Sequence, residues 1–226
     1  MTKPAALFPI ALALGATLLV PEASAREPTP IKVCQTISKP GPYELANNLT
    51  ATGDCLVITA DFVTIDLAGF LISGASSRGA GIRVAPEIVG HPLQGIAVRN
   101  GSISGFGTGV DLRIGAGPSI VEGLRVLGAA FEGIAAEGIV KGNAVTGVGG
   151  IGIEASGTVT GNYAAANGDG FDVGGTVIGN TATGNRRFGF EVGCPSNLTD
   201  NTAVNNGTNL EVVFGEGCRI EGNVAP

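Results

Sequence analysis

The sequence IGIEASGTVTGNYAAANGDGFDVGGTVIGN, residues 151–180, decides the fold because it contains one pattern twice. An apolar-variable-apolar triplet occurs as Ile153-Glu154-Ala155 and returns as Phe171-Asp172-Val173. A Gly-Asn pair follows each triplet, at residues 161–162 and again at 179–180. Both patterns return after 18 residues, so the stretch predicts a structural repeat of about that length.

The same two patterns extend along most of the chain. The other triplets are Ile65-Asp66-Leu67, Ile82-Arg83-Val84, Ile96-Ala97-Val98, Val110-Asp111-Leu112, Ile134-Ala135-Ala136, Phe190-Glu191-Val192 and Leu210-Glu211-Val212. From Ile134 onward the triplets are 19, 18, 19 and 20 residues apart. The second pattern also occurs as Gly142-Asn143, Asp200-Asn201 and Gly222-Asn223. Two series that keep the same phase indicate a repeat protein.

Each repeat predicts very short strands rather than helices. The repeats contain runs of three to five residues in which apolar and polar side chains alternate, separated by Gly, Asn, Asp or Ser. A unit of this length, with two or three such strands and abrupt corners, is typical of one coil of a parallel β-helix. Coils that stack ~4.8 Å apart allow each strand to hydrogen-bond to its equivalent in the next coil. The inward apolar residues then form one continuous core, which a single coil is too small to bury.

The recurring asparagines are expected to occupy one corner of successive coils. They are Asn143, Asn162, Asn180, Asn201 and Asn223. Stacked amides can hydrogen-bond along the stack, and asparagine tolerates the left-handed backbone that a sharp corner requires. We interpret this series as structural rather than as a ligand site.

The four cysteines predict two disulfide bonds. In an oxidising compartment an even number of cysteines favours pairing, and four free buried thiols are the alternative. Of the three pairings that four cysteines allow, the repeat register selects Cys34–Cys55 and Cys194–Cys218, because vertical neighbours lie at a suitable distance. The first bond would close an N-terminal cap, and the second would hold the last coils together.

The chain divides into three predicted regions. Residues 1–25 read as a signal peptide, with Lys3, an apolar run over 5–20 and a small-x-small cleavage site at 23–25. Residues 26–62 are interpreted as the cap and entry strand, and 63–226 as the β-helix repeats. The apolar run is too short and too interrupted to span a membrane. We therefore expect an exported protein, periplasmic or extracellular.

Composition limits the partners of the protein. The net charge is -6, and nucleic acid is not expected as a partner because phosphate binding needs clustered Lys and Arg. The chain has no Trp and two Tyr, so few aromatic side chains are available to stack on sugars. A polysaccharide or another cell-surface component stays open as a partner, and we expect a monomer.

Two further motifs resemble a known group of proteins. Residues 58–69, ITADFVTIDLAG, resemble the opening coil of bacterial right-handed parallel β-helix repeat proteins, and residues 98–107, VRNGSISGFG, resemble their second signature. The resemblance covers roughly residues 31–226. It implies an all-β, right-handed parallel β-helix of about nine coils, in the pectate-lyase-like and NosD-like superfamily. It implies no one function, because this architecture is shared by lyases, hydrolases, epimerases, metal-site maturation proteins and non-catalytic proteins.

The middle residues of the triplets predict an outward row of carboxylates. Strand side chains alternate, so these residues point away from the core. In the last four triplets they are Glu154, Asp172, Glu191 and Glu211, with Asp111 and Asp66 at the same phase earlier. Stacked carboxylates suit Ca²⁺, which prefers several oxygen ligands, and these four residues are the candidate metal ligands. A solvated acidic face that prevents aggregation is the alternative.

Two candidate catalytic groups lie in the same coils. The run Asn167-Gly168-Asp169-Gly170 resembles a polygalacturonase motif, which would make Asp169 an acid, although a second carboxylate, Gly-His-Gly and a matching Arg-Ile-Lys are missing. A tight corner is the alternative interpretation of this run. A pectate-lyase-like site would instead use Asp172 and Glu191 around Ca²⁺, with Arg187 as the base. Arg187 could equally pair with the acidic face.

Two functions follow as expectations. The first is a non-catalytic exported scaffold or carbohydrate-binding protein. The second is a Ca²⁺-assisted polysaccharide lyase, or a related carbohydrate-active enzyme, that acts on acidic polysaccharide. A metal-delivery function ranks last because no His, Cys and Met cluster suits copper, and the single His91 is interpreted as a surface residue.

Overall fold

The computed structural model describes residues 27–85, 92–113 and 115–226. The predicted signal peptide and His91 lie outside these ranges. The described parts contain strands and turns and no helix long and apolar enough to cross a membrane. The predicted all-β solenoid is confirmed, because every named pair of strands is parallel.

The described residues form 21 strands that belong to one continuous sheet. They are β1 (Thr29–Ile31), β2 (Gln35–Ile37), β3 (Gly41–Leu45), β4 (Leu49–Ala51), β5 (Leu56–Ile58), β6 (Val63–Asp66), β7 (Leu71–Gly74), β8 (Ala80–Val84), β9 (Ala97–Ser104), β10 (Thr108–Asp111), β11 (Ser119–Leu127), β12 (Glu132–Lys141), β13 (Ala144–Thr146), β14 (Ile151–Thr160), β15 (Tyr163–Ala165), β16 (Asp169–Ile178), β17 (Thr181–Thr183), β18 (Phe188–Thr199), β19 (Thr202–Val204), β20 (Thr208–Phe214) and β21 (Arg219–Glu221).

The strands stack into three faces. Face 1 contains β1, β3, β6, the start of β9 and β11, the ends of β12, β14, β16 and β18, and β21. Face 2 contains β4, β7, the ends of β9 and β11, and β13, β15, β17 and β19. Face 3 contains β2, β5, β8, β10, the starts of β12, β14, β16 and β18, and β20. The nine strands of face 3 give the solenoid about nine coils.

The stacking begins earlier in the chain than the repeat pattern indicates. Residues 35–37 already pair in register with 56–58, so the described part of the predicted cap is built from the same parallel strands. The early coils are longer than the later ones, since Leu56 and Ile82 are paired across 26 residues and Ile82 and Val110 across 28. These longer coils hide the repeat in the sequence. The division at residue 62 stays a prediction.

The core is a single column of apolar side chains enclosed by the three faces. Phe106 and Phe171 are fully buried, and Phe190 is 2% exposed. The rings of Phe171 and Phe190, in successive coils, are stacked with their centroids 4.6 Å apart. Close packing of this kind between coils explains why each apolar triplet position must recur at the coil period.

Two ladders of asparagines form two of the corners, and six of the eight side chains are buried. The ladder between faces 1 and 2 contains the five asparagines Asn143, Asn162, Asn180, Asn201 and Asn223, each side-chain oxygen accepting from the backbone of the coil before it. A second ladder, between faces 2 and 3, contains Asn167, Asn185 and Asn206. This second ladder was not predicted from the sequence. Its signal was present, because each member lies five residues after a member of the first ladder.

The two disulfide bonds join neighbouring coils. Cys34 and Cys55 come directly before the paired strands β2 and β5, and their Cα atoms are 4.5 Å apart. Cys194 and Cys218 join β18 to the last coil, with Cα atoms 5.2 Å apart. This is the pairing that the repeat register predicts, and it is consistent with an exported protein.

Candidate functional site

Face 3 presents one outward residue from each coil in a vertical column. In chain order the column contains Thr36, Val57, Arg83, Asp111, Ala135, Glu154, Asp172, Glu191 and Glu211. The last four members, which we call the carboxylate column, are the four candidate metal ligands. Parallel pairing places each of them ~4.8 Å from the next coil. Four successive negative charges therefore follow one line on the surface.

Asp66 does not belong to this column, contrary to the sequence expectation. It lies in β6 on face 1, where it is the register partner of Arg99. The Arg99 Nε atom lies 2.9 Å from the Asp66 Oδ2 atom, so the two side chains form an ion pair. The triplet at 96–98 also lies on face 1. In the early coils faces 1 and 3 both carry apolar-variable-apolar triplets, which the sequence pattern alone does not separate.

Arg113 forms an ion pair with Glu154, the first member of the carboxylate column in chain order. Its Nη1 atom donates to Glu154, and its Nη2 and Nε atoms lie 3.7 Å from Glu132 and 3.6 Å from Asp111. The hydrogen bond to Glu154, together with the charges of these carboxylates, raises the pKa of Arg113. Ala135 is the column member between Asp111 and Glu154, and its burial is complete. A methyl group at this position leaves room for the arginine to cross the face.

Asp172 lies in the middle of the carboxylate column. Burial raises the pKa of Asp172, and the neighbouring carboxylates of Glu191, Glu154 and Asp169 raise it further. No ion pair of Asp172, Glu191 or Glu211 occurs among the described residues. Arg113 therefore compensates the column only at Glu154.

A cleft of about 250 Å³ opens beside these residues, at the corner between faces 3 and 1. Arg113, Glu154 and Asp172 line one side of it. The other side consists of a register column of outward residues with small or acidic side chains, namely Glu137, Ser156, Gly174 and Gly193. The cleft therefore combines carboxylates, a guanidinium group and open space on a rigid strand scaffold.

Two of the residues that line this cleft are glycines, and their backbone angles do not require glycine. Neither Gly174 nor Gly193 has a positive φ angle. A Cβ atom at Gly174 would have its nearest neighbour at 3.8 Å, and one at Gly193 would meet nothing within 4 Å. Side chains would thus fit the fold at both positions. Larger side chains at these two positions would fill the space of the cleft.

Asp169, the candidate acid, is the first residue of β16. Its side chain is only 3% exposed and forms an ion pair with Arg187, and its Oδ1 atom accepts from the backbone N–H of Phe188 at 3.2 Å. Arg187 also lies over the Phe188 ring, 5.9 Å from its centroid. The structure therefore brings Asp169 and Arg187 together at the corner between faces 2 and 3. It does not bring Arg187 into contact with Asp172 or Glu191.

No three His, Cys, Asp or Glu side chains within the described ranges converge closely enough to hold a metal ion. The outward column explains this, because its members follow the coil axis in one line instead of surrounding a point. The four candidate ligands therefore lie one after another along the coil axis and do not surround a common point.

No family model, curated protein or solved structure matches the chain. The parallel β-solenoid is thus established by the strand pairing. The resemblance to pectate-lyase-like and NosD-like proteins stays a prediction from the two sequence motifs.

Proposed function

We propose that the protein is an exported, non-catalytic β-solenoid that binds carbohydrate through face 3. The observation that carries the proposal is the open cleft beside Asp172, in which Gly174 and Gly193 leave space that the fold does not require. Binding sites are typically concave, with a few fixed polar groups that orient the ligand. Sugar hydroxyl groups can donate to Glu154 and Asp172 and accept from Arg113, which supports a carbohydrate as the occupant.

The charge of the site favours a neutral sugar or an amino sugar over a uronate. Three carboxylates and one guanidinium group line the cleft, so an acidic polysaccharide would meet net repulsion. The non-catalytic assignment rests on Asp169, which is buried in its ion pair with Arg187, away from the cleft. Export to the periplasm or the extracellular space is supported by the two disulfides.

The test is isothermal titration calorimetry of the oxidised protein with neutral, amino and uronate oligosaccharides. We expect binding of a neutral or amino oligosaccharide, lost in Gly193→Leu because the added side chain fills the cleft. Thr181→Leu places the same leucine side chain on face 2, away from the cleft, and serves as the control for a surface leucine. Equal affinity in Gly193→Leu and the wild type, or no binding by the wild type, would contradict the proposal.

A polysaccharide-degrading enzyme is the second candidate, favoured by the raised pKa of Asp172 beside the guanidinium group of Arg113. Groups with a shifted pKa in a cleft are candidate acids or bases. In the lyase form, Ca²⁺ would bind among Glu154, Asp172, Glu191 and Glu211, with Arg187 as the base, and in the hydrolase form Asp169 would be the acid. Incubation with polyuronate, with and without Ca²⁺, tests both forms. New unsaturated or reducing ends, lost in Asp172→Asn, would establish an enzyme.

A further inference from the structure

A second depression on face 3, with a volume of about 220 Å³, lies around Phe131 in the coils before the cleft. We call it the Phe131 groove. Its walls include Phe131, the charged residues Asp54, Arg83 and Asp111, and Thr108. Phe131 is not among the site residues predicted from the sequence. Phe131 is distinctive because it is exposed beside these charged residues.

Glycines leave the Phe131 ring uncovered. The ring is 62% exposed, although its backbone is held by a 2.8 Å hydrogen bond from the Phe131 N–H to the Gly107 carbonyl. A Cβ atom at Gly107 would lie 3.4 Å from the ring atom Cδ2, so the ring rests over a residue without a side chain. The next coil has Gly150 at the equivalent position. An exposed apolar ring therefore lines the groove.

The charged groups that line the groove are held in position. Asp54 accepts from the backbone N–H of Ala80 at 2.9 Å, and its Oδ2 atom lies 3.0 Å from the Arg83 Nε atom. Fixed polar groups of this kind need little reordering when a ligand binds.

The Phe131 groove and the cleft are adjacent parts of one surface. Asp111 lines the groove and Arg113 lines the cleft, and the Arg113 Nε atom lies 3.6 Å from the Asp111 Oδ1 atom. The paired coils β8, β10, β12 and β14 connect the two depressions along the solenoid axis. A chain-like ligand can thus follow face 3 from one depression to the other.

We infer that the Phe131 groove is a second sugar subsite for the polysaccharide that occupies the cleft. The apolar face of one pyranose ring stacks on Phe131, and its hydroxyl groups bond to Arg83, Asp54 and Asp111. A flat hydrocarbon ring beside fixed donors and acceptors matches the two kinds of surface that a pyranose presents. The inference rests on the proposed function, because it assumes that the cleft binds the same chain.

The test uses hexasaccharides of β-1,4-linked glucose, a neutral sugar, and of β-1,4-linked glucosamine, an amino sugar, with dissociation constants measured by calorimetry. For the hexasaccharide that binds, we expect Phe131→Ala to weaken binding about tenfold, the loss of one aromatic stacking contact. Phe131→Tyr retains the ring and should bind like the wild type. Phe62→Ala is the matched control, because Phe62 is another exposed ring, 66% exposed, that does not line the groove.

The outcomes separate the subsite from the proposed function. Weakening in Phe131→Ala but not in Phe131→Tyr or Phe62→Ala, with all melting temperatures unchanged, supports the subsite. Unchanged affinity in Phe131→Ala, together with lost affinity in Gly193→Leu, overturns the subsite and leaves the proposed function standing. A wild-type protein that binds neither hexasaccharide overturns both.

Discussion

Arg113 reaches Glu154 across an intervening coil, although the two residues are 41 positions apart in the sequence. Arg113 follows β10 and Glu154 lies in β14, and the coil between them contributes Ala135 to the outward column. The same guanidinium group faces Glu132 and Asp111. One cation therefore balances three carboxylates from three successive coils. It also forms the boundary between the Phe131 groove and the cleft.

Replacement of Arg113 by alanine should destabilise the protein by about 1 kcal/mol at low salt, because three carboxylates would lose their shared partner. Added salt should reduce the difference, since the interactions are partly exposed. Urea unfolding at two ionic strengths measures both effects. Arg125→Ala is the control, because no ion pair of Arg125 occurs in the part of the chain that the structure describes. An equal loss in the two variants would contradict the bridging role.

Replacement of Asp172 by asparagine should stabilise the protein at neutral pH. Burial and the neighbouring carboxylates raise the pKa of Asp172 above 3.8, so the folded chain holds this proton more tightly than the unfolded chain. The stability contributed by protonated Asp172 is complete below the unfolded value and is lost as the pH rises through the raised pKa. We expect a gain of about 0.5 kcal/mol at pH 7 in Asp172→Asn, since similar charges on adjacent strands repel weakly.

Melting temperatures measured between pH 3 and pH 8 test this expectation. The gain in Asp172→Asn should shrink as the pH falls toward the unfolded value of the carboxyl group. Glu216→Gln removes an exposed carboxylate outside the column and should show no such trend. A destabilised Asp172→Asn at neutral pH would mean that the carboxylate has a stabilising partner.

The sequence predicted the solenoid because its physical cause is periodic. Each coil must place an apolar residue over the one before it, so the triplets at 153–155 and 171–173 recur at the coil length. The pairing of Cys194 with Cys218 follows from the same register. The coils before Ile134 were harder to order, because their length varies. Asp66 was therefore assigned to the wrong face.

The candidate site was predictable only in part. Asp172 and Glu191 were identified because the outward position recurs with the triplet. The cleft itself depends on Gly174 and Gly193, which look like ordinary turn residues until the space around them is known. The contact between Arg113 and Glu154 depends on the small side chain of Ala135 in the coil between them. No local pattern encodes such a contact between residues that are distant in the sequence.

Removal of the C-terminal disulfide should lower stability without changing the fold. Cys194 and Cys218 enclose 24 positions, and a cross-link of this size stabilises a protein by about 3 kcal/mol, chiefly by restricting the unfolded chain. We expect that loss in the double variant Cys194→Ala/Cys218→Ala, measured by denaturant unfolding. The wild type under reducing conditions should lose at least as much, because its other bond also opens. An unchanged midpoint in the double variant would show that the last coils are held by strand pairing alone.

Substitution of an asparagine in the ladder should lower the free energy of unfolding more than substitution of an outward asparagine. The Asn180 Oδ1 atom accepts from the backbone and the side chain of Asn162, and its Nδ2 atom donates to the Val159 carbonyl at 2.9 Å. Asn180→Ala would leave these groups buried without partners, which should lower the free energy of unfolding by about 3 kcal/mol in total. Asn197→Ala, on the outward side of face 1, is the control and should cost less than about 0.5 kcal/mol. Similar losses in the two variants would mean that water enters the corner and replaces the missing amide, and that the ladder contributes little to stability.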